Sequence, residues 1–301
     1  GHYRSGAPSN RRTARDRSGV KMRPYVDVHC HIGTTITYDP AVGQTTGRCL
    51  ARMASAGVVA SVIGPTAVGS SQIRGILDTR DQNGIIVRAC QQFPDRFPIG
   101  LALIELRHGQ VGADAFEETL VEGGLKGIMW HPAGMTFERQ LYPFLEVASL
   151  KGGLCLLHES ADRTAAYARR FPNLTFIVHA GTEEEMEPCL QLDNVWFEVV
   201  QRPRGSRSDW DLPQLVNELG CERILFGSDL PYYDFRILQA QLEAADIDEA
   251  TRDRIASQNA VNLIRGFRPD WELPQGTLAA PQNYTHEELW APKEAGSERL
   301  L

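Results

Sequence analysis

The sequence lacks long apolar runs, and it has no excess of basic residues. No uninterrupted apolar segment approaches the ~18 residues that span a bilayer, and the first residues contain no signal-like apolar stretch. A net charge of −7 differs from the basic footprint of proteins that bind nucleic acid or anionic membranes. We therefore expect a cytoplasmic protein with a small-molecule substrate and with no nucleic-acid or membrane partner.

Paired cysteine motifs are also missing. The chain contains six widely scattered cysteines and no CxxC pair: Cys30, Cys49, Cys90, Cys155, Cys189 and Cys221. Most of them lie in apolar or helical segments, where a cysteine usually packs as a small hydrophobic residue. The sequence therefore indicates a reduced compartment and structural roles for the cysteines.

Composition and length divide the chain into three parts. Residues 1–22 are polar and basic with no hydrophobic period, which predicts a disordered N-terminal extension. Residues 23–267 alternate apolar and helical patterns and are long enough for one α/β barrel. Residues 268–301 are rich in proline and isolated aromatics. We expect this tail to pack on the barrel or on a partner subunit, so a homodimer is possible.

Short apolar runs alternate with amphipathic segments throughout the central part. We count eight strand candidates: YVDVHCH, VVASVIG, FPIGLALI, LKGIMWH, LCLLHE, LTFIVHA, VWFEVV and RILFGSD. Glycines recur between helix and strand candidates, as at Gly57, Gly124, Gly153 and Gly220, where a left-handed helix cap needs no Cβ. Eight strand-helix units in series predict a (β/α)8 TIM-type barrel rather than an open sheet.

Histidines and one aspartate occupy equivalent strand ends. His29 and His31 lie two residues apart in VDVHCHIG, so an extended strand directs both to one side and Cys30 to the other. Parallel barrel strands deliver their C-terminal ends to one face, which holds the active site. The other polar residues that we expect on this face are His108, His131, His158, His179 and Asp229. Scattered core histidines have no reason to collect there, so the pattern favours a metal site.

The donor types restrict the metal. Imidazole nitrogens and one carboxylate oxygen suit a divalent transition ion, for which zinc is our first choice and Mn2+, Fe2+ and Co2+ are alternatives. Three or four protein ligands with one open position would make a catalytic centre, because the ion lowers the pKa of bound water to about 7.

The motifs VDVHCH, LKGIMWHP, LCLLHES, FPNLTFIVHAGT and RILFGSDLPY together resemble the amidohydrolase superfamily. The resemblance is to its amidohydrolase-related branch, called amidohydrolase 2, which includes the aminocarboxymuconate-semialdehyde decarboxylase group. It implies one metal ligated by four residues: His29, His31, His158 and Asp229. It also implies that His179 acts as an acid, base or electrostatic stabiliser and that Asp229 accepts the water proton. Lys126 begins its strand and cannot supply the bridging lysine of binuclear relatives, so we predict a mononuclear site.

Other residues on this face have two interpretations each. His131 either contacts substrate or serves an ordinary strand-to-loop junction, and Trp130 either walls the pocket or finishes packing. Arg202 and Arg204 would suit a carboxylate substrate, but a solvated basic loop has the same composition. Glu198 either points inward and supports the site or points outward.

Glu159 follows His158, so strand alternation sends its side chain away from the metal.

The leading functional prediction is a metal-dependent hydrolase that cleaves an amide, lactone or related bond by attack of metal-activated water. Asp229 and His179 are its predicted catalytic residues. The alternative is a nonoxidative decarboxylase of a small carboxylic acid, for which the same residues serve. A third hypothesis is a barrel that binds a ligand without turnover, but the intact ligand set argues against it.

Overall fold

The computed structural model describes residues 23–33, 43–66, 75–130, 138–180, 183–200 and 212–275. The predicted extension, residues 1–22, lies outside these ranges, as does most of the predicted tail. In the described part of the chain, none of the helices has the length and apolar character needed to cross a membrane.

Eight parallel strands form the barrel, as the sequence predicts. The strands are β1 (Tyr25–Ile32), β2 (Val58–Pro65), β3 (Ile99–Gly100), β4 (Gly127–Trp130), β5 (Leu154–Leu157), β6 (Thr175–His179), β7 (Val195–Val199) and β8 (Ile224–Phe226). They pair in chain order as β1–β2–β3 and β4 through β8. Parallel bridges between Ala102 and Ile128 and between Cys30 and Leu230 join the two sheets at both seams. The (β/α)8 prediction is therefore confirmed.

Helices follow the strands in the expected order. They are α1 (Thr46–Ala56), α2 (Ile76–Gln92), α3 (Gly109–Gly123), α4 (Glu138–Leu150), α5 (Ala161–Arg170), α6 (Glu183–Leu190), α7 (Leu212–Leu219), α8 (Phe235–Ala244), α9 (Glu249–Asp253) and α10 (Asn259–Phe267). A π-helical turn, Arg254–Gln258, joins α9 to α10. Thr45 and Ser160 cap α1 and α5 with their hydroxyls.

The hydrophobic core has two layers, and strand alternation assigns residues to them. The outer faces of the strands pack against the helices, as with Phe176 and Val178 of β6. The inner faces fill the barrel, as with Ile177 of the same strand. Residues of α10 and the buried Trp271 join this inner cluster, and Trp271 donates its indole N–H to the Asp95 carbonyl at 3.1 Å. This apolar filling leaves the opposite, C-terminal mouth of the barrel for the polar groups of the site.

A β-bulge interrupts the alternation of β1. Asp27 pairs with Ser61 and Cys30 pairs with Ile63, so three steps on β1 oppose two on β2. Val28 belongs to the inner cluster below the bulge, and Cys30 belongs to the outer layer above it. The extra residue lets His29 point into the barrel directly after Val28.

Candidate metal centre

Four side chains converge at the C-terminal mouth of the barrel. His29 and His31 come from β1, His158 follows β5 directly, and Asp229 lies three residues after the end of β8. One ligand atom from each of the four lies within 4.8 Å of each of the others. The structure thus brings together the full set of predicted ligands.

The closest contacts in this group join atoms that carry lone pairs. His29 Nε2 lies 3.0 Å from His31 Nε2, and Asp229 Oδ1 lies 3.0 Å from His31 Nε2 and 3.4 Å from His29 Nε2. Ligands held about 2.0–2.1 Å from a tetrahedral zinc ion are separated by about 3.3–3.4 Å. The spacing therefore suits ligands around one small cation.

The partners of the Nδ1 atoms indicate which nitrogen of each histidine carries the proton. His31 Nδ1 donates to the Pro65 carbonyl at 2.8 Å, and His158 Nδ1 donates to the Trp130 carbonyl at 3.3 Å. His29 Nδ1 donates to Glu198 Oε1 at 3.1 Å. A neutral imidazole with its proton on Nδ1 has a lone pair on Nε2. All three Nε2 atoms are therefore acceptors.

The donor set fits a divalent metal ion. With all three imidazoles neutral, the 3.0 Å contact between the Nε2 atoms of His29 and His31 joins two lone pairs, and a divalent cation bound there would satisfy both. Burial lowers the pKa of His29, but the carboxylates of Glu198 and Asp229 outweigh burial and raise it to about 9.

Asp229 is held by the backbone as well as by its side chain. Its φ of 56° lies in the left-handed region, which aspartate tolerates better than most residues. Its amide donates to the His29 carbonyl at 2.8 Å, and its carbonyl accepts from the Tyr232 amide at 3.0 Å. Burial would raise the pKa of Asp229, but the imidazoles of His29 and His31 beside it lower it overall. The carboxylate is therefore ionised and aimed at the histidines.

His179 lies beside this group and shares a partner with it. Its Nδ1 lies 3.3 Å from Glu198 Oε1, the oxygen that also accepts from His29. Its ring centroid lies 4.9 Å from that of His158, and its side chain is 22% exposed. His179 is therefore partly open to the mouth of the barrel.

Glu198 points into the barrel, which is one of the two orientations that the sequence left open. Its side chain is fully buried. Burial would raise the pKa of Glu198, but His29 and His179 lower it overall. Its second oxygen, Oε2, forms no hydrogen bond within the described residues, and a Cβ added at Gly227 would overlap that oxygen.

Sequence reasoning missed Asp27, which supports the bulge. Its carboxylate accepts from the amide of His29 and from the amide of Ser228, and it also accepts from the hydroxyls of Ser61 and Ser228. Burial raises the pKa of Asp27 to about 7, against the hydrogen bonds from Ser228 and His29. The sequence signal that could have identified Asp27 is its charge within an otherwise apolar part of the strand.

Other predicted residues lie elsewhere. Trp130 is buried in the outer layer with the helices, which favours its packing role over substrate contact. His108 stands in a 3-10 turn after β3 and does not join the group. Glu159 lies 3.7 Å from Arg163, away from the metal group. Three predicted substrate contacts fall outside the described residues: His131, Arg202 and Arg204.

The fold and the convergent histidine and aspartate side chains together define a barrel of the metal-dependent enzyme class. The amidohydrolase family model, of the amidohydrolase 2 type, matches residues 26–266, and the chain belongs to this family. The family and the four-residue group together support a divalent metal. A comparison with curated protein sequences finds no match.

Solved structures share the fold at low sequence identity. A 2,6-dihydroxybenzoate decarboxylase from Rhizobium aligns with a TM-score of 0.64 and 16% identity, over 81% of this chain and 99% of that chain. A dihydroxybenzoic acid decarboxylase from Polaromonas sp. JS666, solved with manganese and 2-nitroresorcinol, aligns with a TM-score of 0.63 and 17% identity, over 81% and 97%. A putative 2-pyrone-4,6-dicarboxylic acid hydrolase from Pseudomonas putida aligns with a TM-score of 0.63 and 20% identity, over 82% and 98%.

Proposed function

We propose that the protein is a metal-dependent hydrolase that cleaves an amide, lactone or related bond of a small molecule. The observation that carries the proposal is the convergence of three imidazoles and the Asp229 carboxylate, with His179 beside them. The proposed ligands of one divalent transition ion are His29, His31, His158 and Asp229. Zinc is the first choice for three nitrogen ligands and one oxygen ligand, and manganese, iron and cobalt remain alternatives.

The bound ion would supply Lewis-acid polarisation of a carbonyl and a lowered pKa for water. The protein residues then divide the proton transfers between them. Asp229, ionised and partly exposed, accepts the proton of the attacking water molecule. His179, backed by Glu198, donates a hydrogen bond to the developing oxyanion or a proton to the leaving group.

Decarboxylation is a second candidate, and one contact favours it. Glu198 Oε1 lies 3.3 Å from His179 Nδ1, which stabilises the protonated imidazole. In a decarboxylation, carbon dioxide leaves and the carbanion that remains must take up a proton. A protonated His179 would donate that proton. Two of the solved structures with this fold are named as dihydroxybenzoate decarboxylases, and one is named as a putative hydrolase of a pyrone dicarboxylic acid.

Metal content is the first test. Plasma mass spectrometry of the wild type should give close to one transition-metal ion per chain. His29→Ala and Asp229→Ala should lose it, while His108→Ala, a histidine of the same barrel face outside the group, should retain it. A wild type that holds no metal and takes up neither zinc nor manganese would refute the hydrolase and decarboxylase proposals alike.

Turnover separates the two reactions. Metal-loaded protein would be screened against lactones, amides and aromatic carboxylic acids, with acid release and carbon dioxide release measured in parallel. Asp229→Asn should lower a hydrolytic rate about 100-fold to 10,000-fold, the usual contribution of a general acid or base. Carbon dioxide without acid release would replace the hydrolase proposal with the decarboxylase.

A further inference from the structure

Glu198 contacts two histidines that have different proposed roles. Its Oε1 lies 3.1 Å from Nδ1 of His29, a proposed metal ligand, and 3.3 Å from Nδ1 of His179, a proposed catalytic residue. The side chains of His29 and Glu198 are both fully buried. We propose that Glu198 is a positioning residue that orients both imidazoles through this single oxygen; the inference rests on the proposed function.

The proposal follows from how an imidazole distributes its proton. A carboxylate oxygen accepts hydrogen bonds and donates none, so each Nδ1 that contacts it carries a proton. Nε2 of each ring is then left to face the mouth of the barrel, where it accepts when the ring is neutral and donates when the ring is protonated. Glu198 thereby orients His29 for metal binding and His179 for contact with substrate.

The position of Glu198 is fixed by its strand. It alternates with the outward-facing Phe197 and Val199 on β7, so its side chain must enter the barrel. His179 pairs with Glu198 in the register of β6 and β7, which makes them neighbours across the sheet. Gly227 leaves the space that the second carboxylate oxygen occupies. The shared contact is therefore specified by β6, β7 and the chain after β8.

The first measurement is metal affinity, by competition with a chromophoric chelator for zinc. Glu198→Gln retains the shape and removes the charge, and it should weaken zinc binding about 10-fold to 100-fold, the typical effect of a carboxylate behind a metal-bound histidine. Glu105→Gln is the matched control, because Glu105 is also a buried carboxylate after a barrel strand but pairs with Arg107. Equal zinc affinity in the wild type and Glu198→Gln would overturn the proposal.

The second measurement reports on the imidazole protons directly. In histidine-labelled protein, the Nδ1–H resonances of His29 and His179 should both be shifted downfield by the carboxylate. Both should move or vanish in Glu198→Ala, while the His31 resonance should not change, because its Nδ1 donates to Pro65. A change at only one of the two histidines would overturn the shared role.

This second measurement also separates the inference from the proposed function. It is made on metal-free and zinc-loaded protein alike. If the wild type binds no metal, the proposed function fails, but the two Nδ1–H resonances still show whether Glu198 holds both rings. Circular dichroism of each variant confirms that it is folded.

Discussion

The backbone amide of Asp229 donates to the carbonyl of His29 at 2.8 Å, across the seam where the chain after β8 meets β1. The amide of His31 donates to the Leu230 carbonyl at 2.7 Å on the same seam. The backbone groups of three of the four proposed ligands thus form the hydrogen bonds that close the barrel. A cation bound by them would link the two ends of the central part of the chain.

Metal binding should therefore stabilise the fold. A ligand that binds only the folded state adds about 2.7 kcal/mol at a free concentration 100 times its dissociation constant. We expect calorimetry to show a rise in Tm when zinc or manganese is added to chelator-treated protein. Asp229→Ala should show no such rise, and an identical Tm with and without metal in the wild type would contradict the prediction.

Asp27 should be a major source of stability, because its carboxylate joins β1 to Ser61 of β2 and to Ser228 after β8. Asp27→Ala leaves buried donors without an acceptor, and we expect it to lower the free energy of unfolding by about 3–5 kcal/mol. Asp27→Asn should cost less, because its amide oxygen still accepts and serine hydroxyls can accept from its amide nitrogen. Urea unfolding measures both; equal stabilities for Asp27→Ala and wild type would exclude this role.

Gly227→Ala should damage the site without touching a proposed ligand. The added Cβ would overlap Glu198 Oε2 and displace the carboxylate from His29 and His179. We expect weaker zinc binding, as in Glu198→Gln. The control is Gly266→Ala, where a Cβ meets nothing within 4 Å and the helix should gain about 0.5–1 kcal/mol. Full zinc affinity in Gly227→Ala would show that Glu198 can move without consequence.

We expect the contribution of Asp234 to the free energy of unfolding, made at the start of helix α8, to depend on pH. It caps the helix by accepting from the Arg236 amide at 2.9 Å, and its side-chain hydrogen bond with Arg236 lowers its pKa to about 2. Because the folded pKa is below the unfolded value, this stability is present above about pH 4 and is lost as the pH falls towards 2. Asp234→Ala should cost about 1 kcal/mol at pH 7.

The pH series tests this directly. The difference in the free energy of unfolding between wild type and Asp234→Ala, measured by urea unfolding, should shrink as the pH falls below 4. Asp234→Asn retains a capping acceptor without the charge, so its free energy of unfolding at pH 7 should lie between those of wild type and Asp234→Ala. A difference that is constant from pH 7 to pH 3 would rule out the charged contact.

The strands of the barrel could be predicted from the sequence because strand burial has a simple period. Each strand is a short apolar run, and the helices between them show an apolar face. Helix α2 departs from this pattern, because Asp78, Gln82 and Asn83 are buried on its inner side. Its buried face therefore reads as polar. The left-handed turn before β5 also falls at Gly152 rather than at the predicted Gly153.

The candidate site was predictable where a residue ends a strand and less so where it supports another residue. His158, His179 and Asp229 follow from their strand ends. Strict alternation in VDVHCHIG, however, groups Asp27 with His29 and His31, whereas the bulge separates their faces. Neither the bulge nor the shared hydrogen bonds of Glu198 has a local sequence signature, because both depend on neighbouring strands.

The bulge in β1 also sets which alternate residues of this strand face into the barrel, and protein engineers can change this setting. Below it, Val26 and Val28 set one phase of inward residues, and above it His29 and His31 follow the opposite phase. If β1 kept its length but paired with β2 without the bulge, a single phase would run through the strand and both imidazoles would turn towards the helices. The apolar half of the strand can therefore be redesigned separately from its polar half, provided that the number of residues between them is kept.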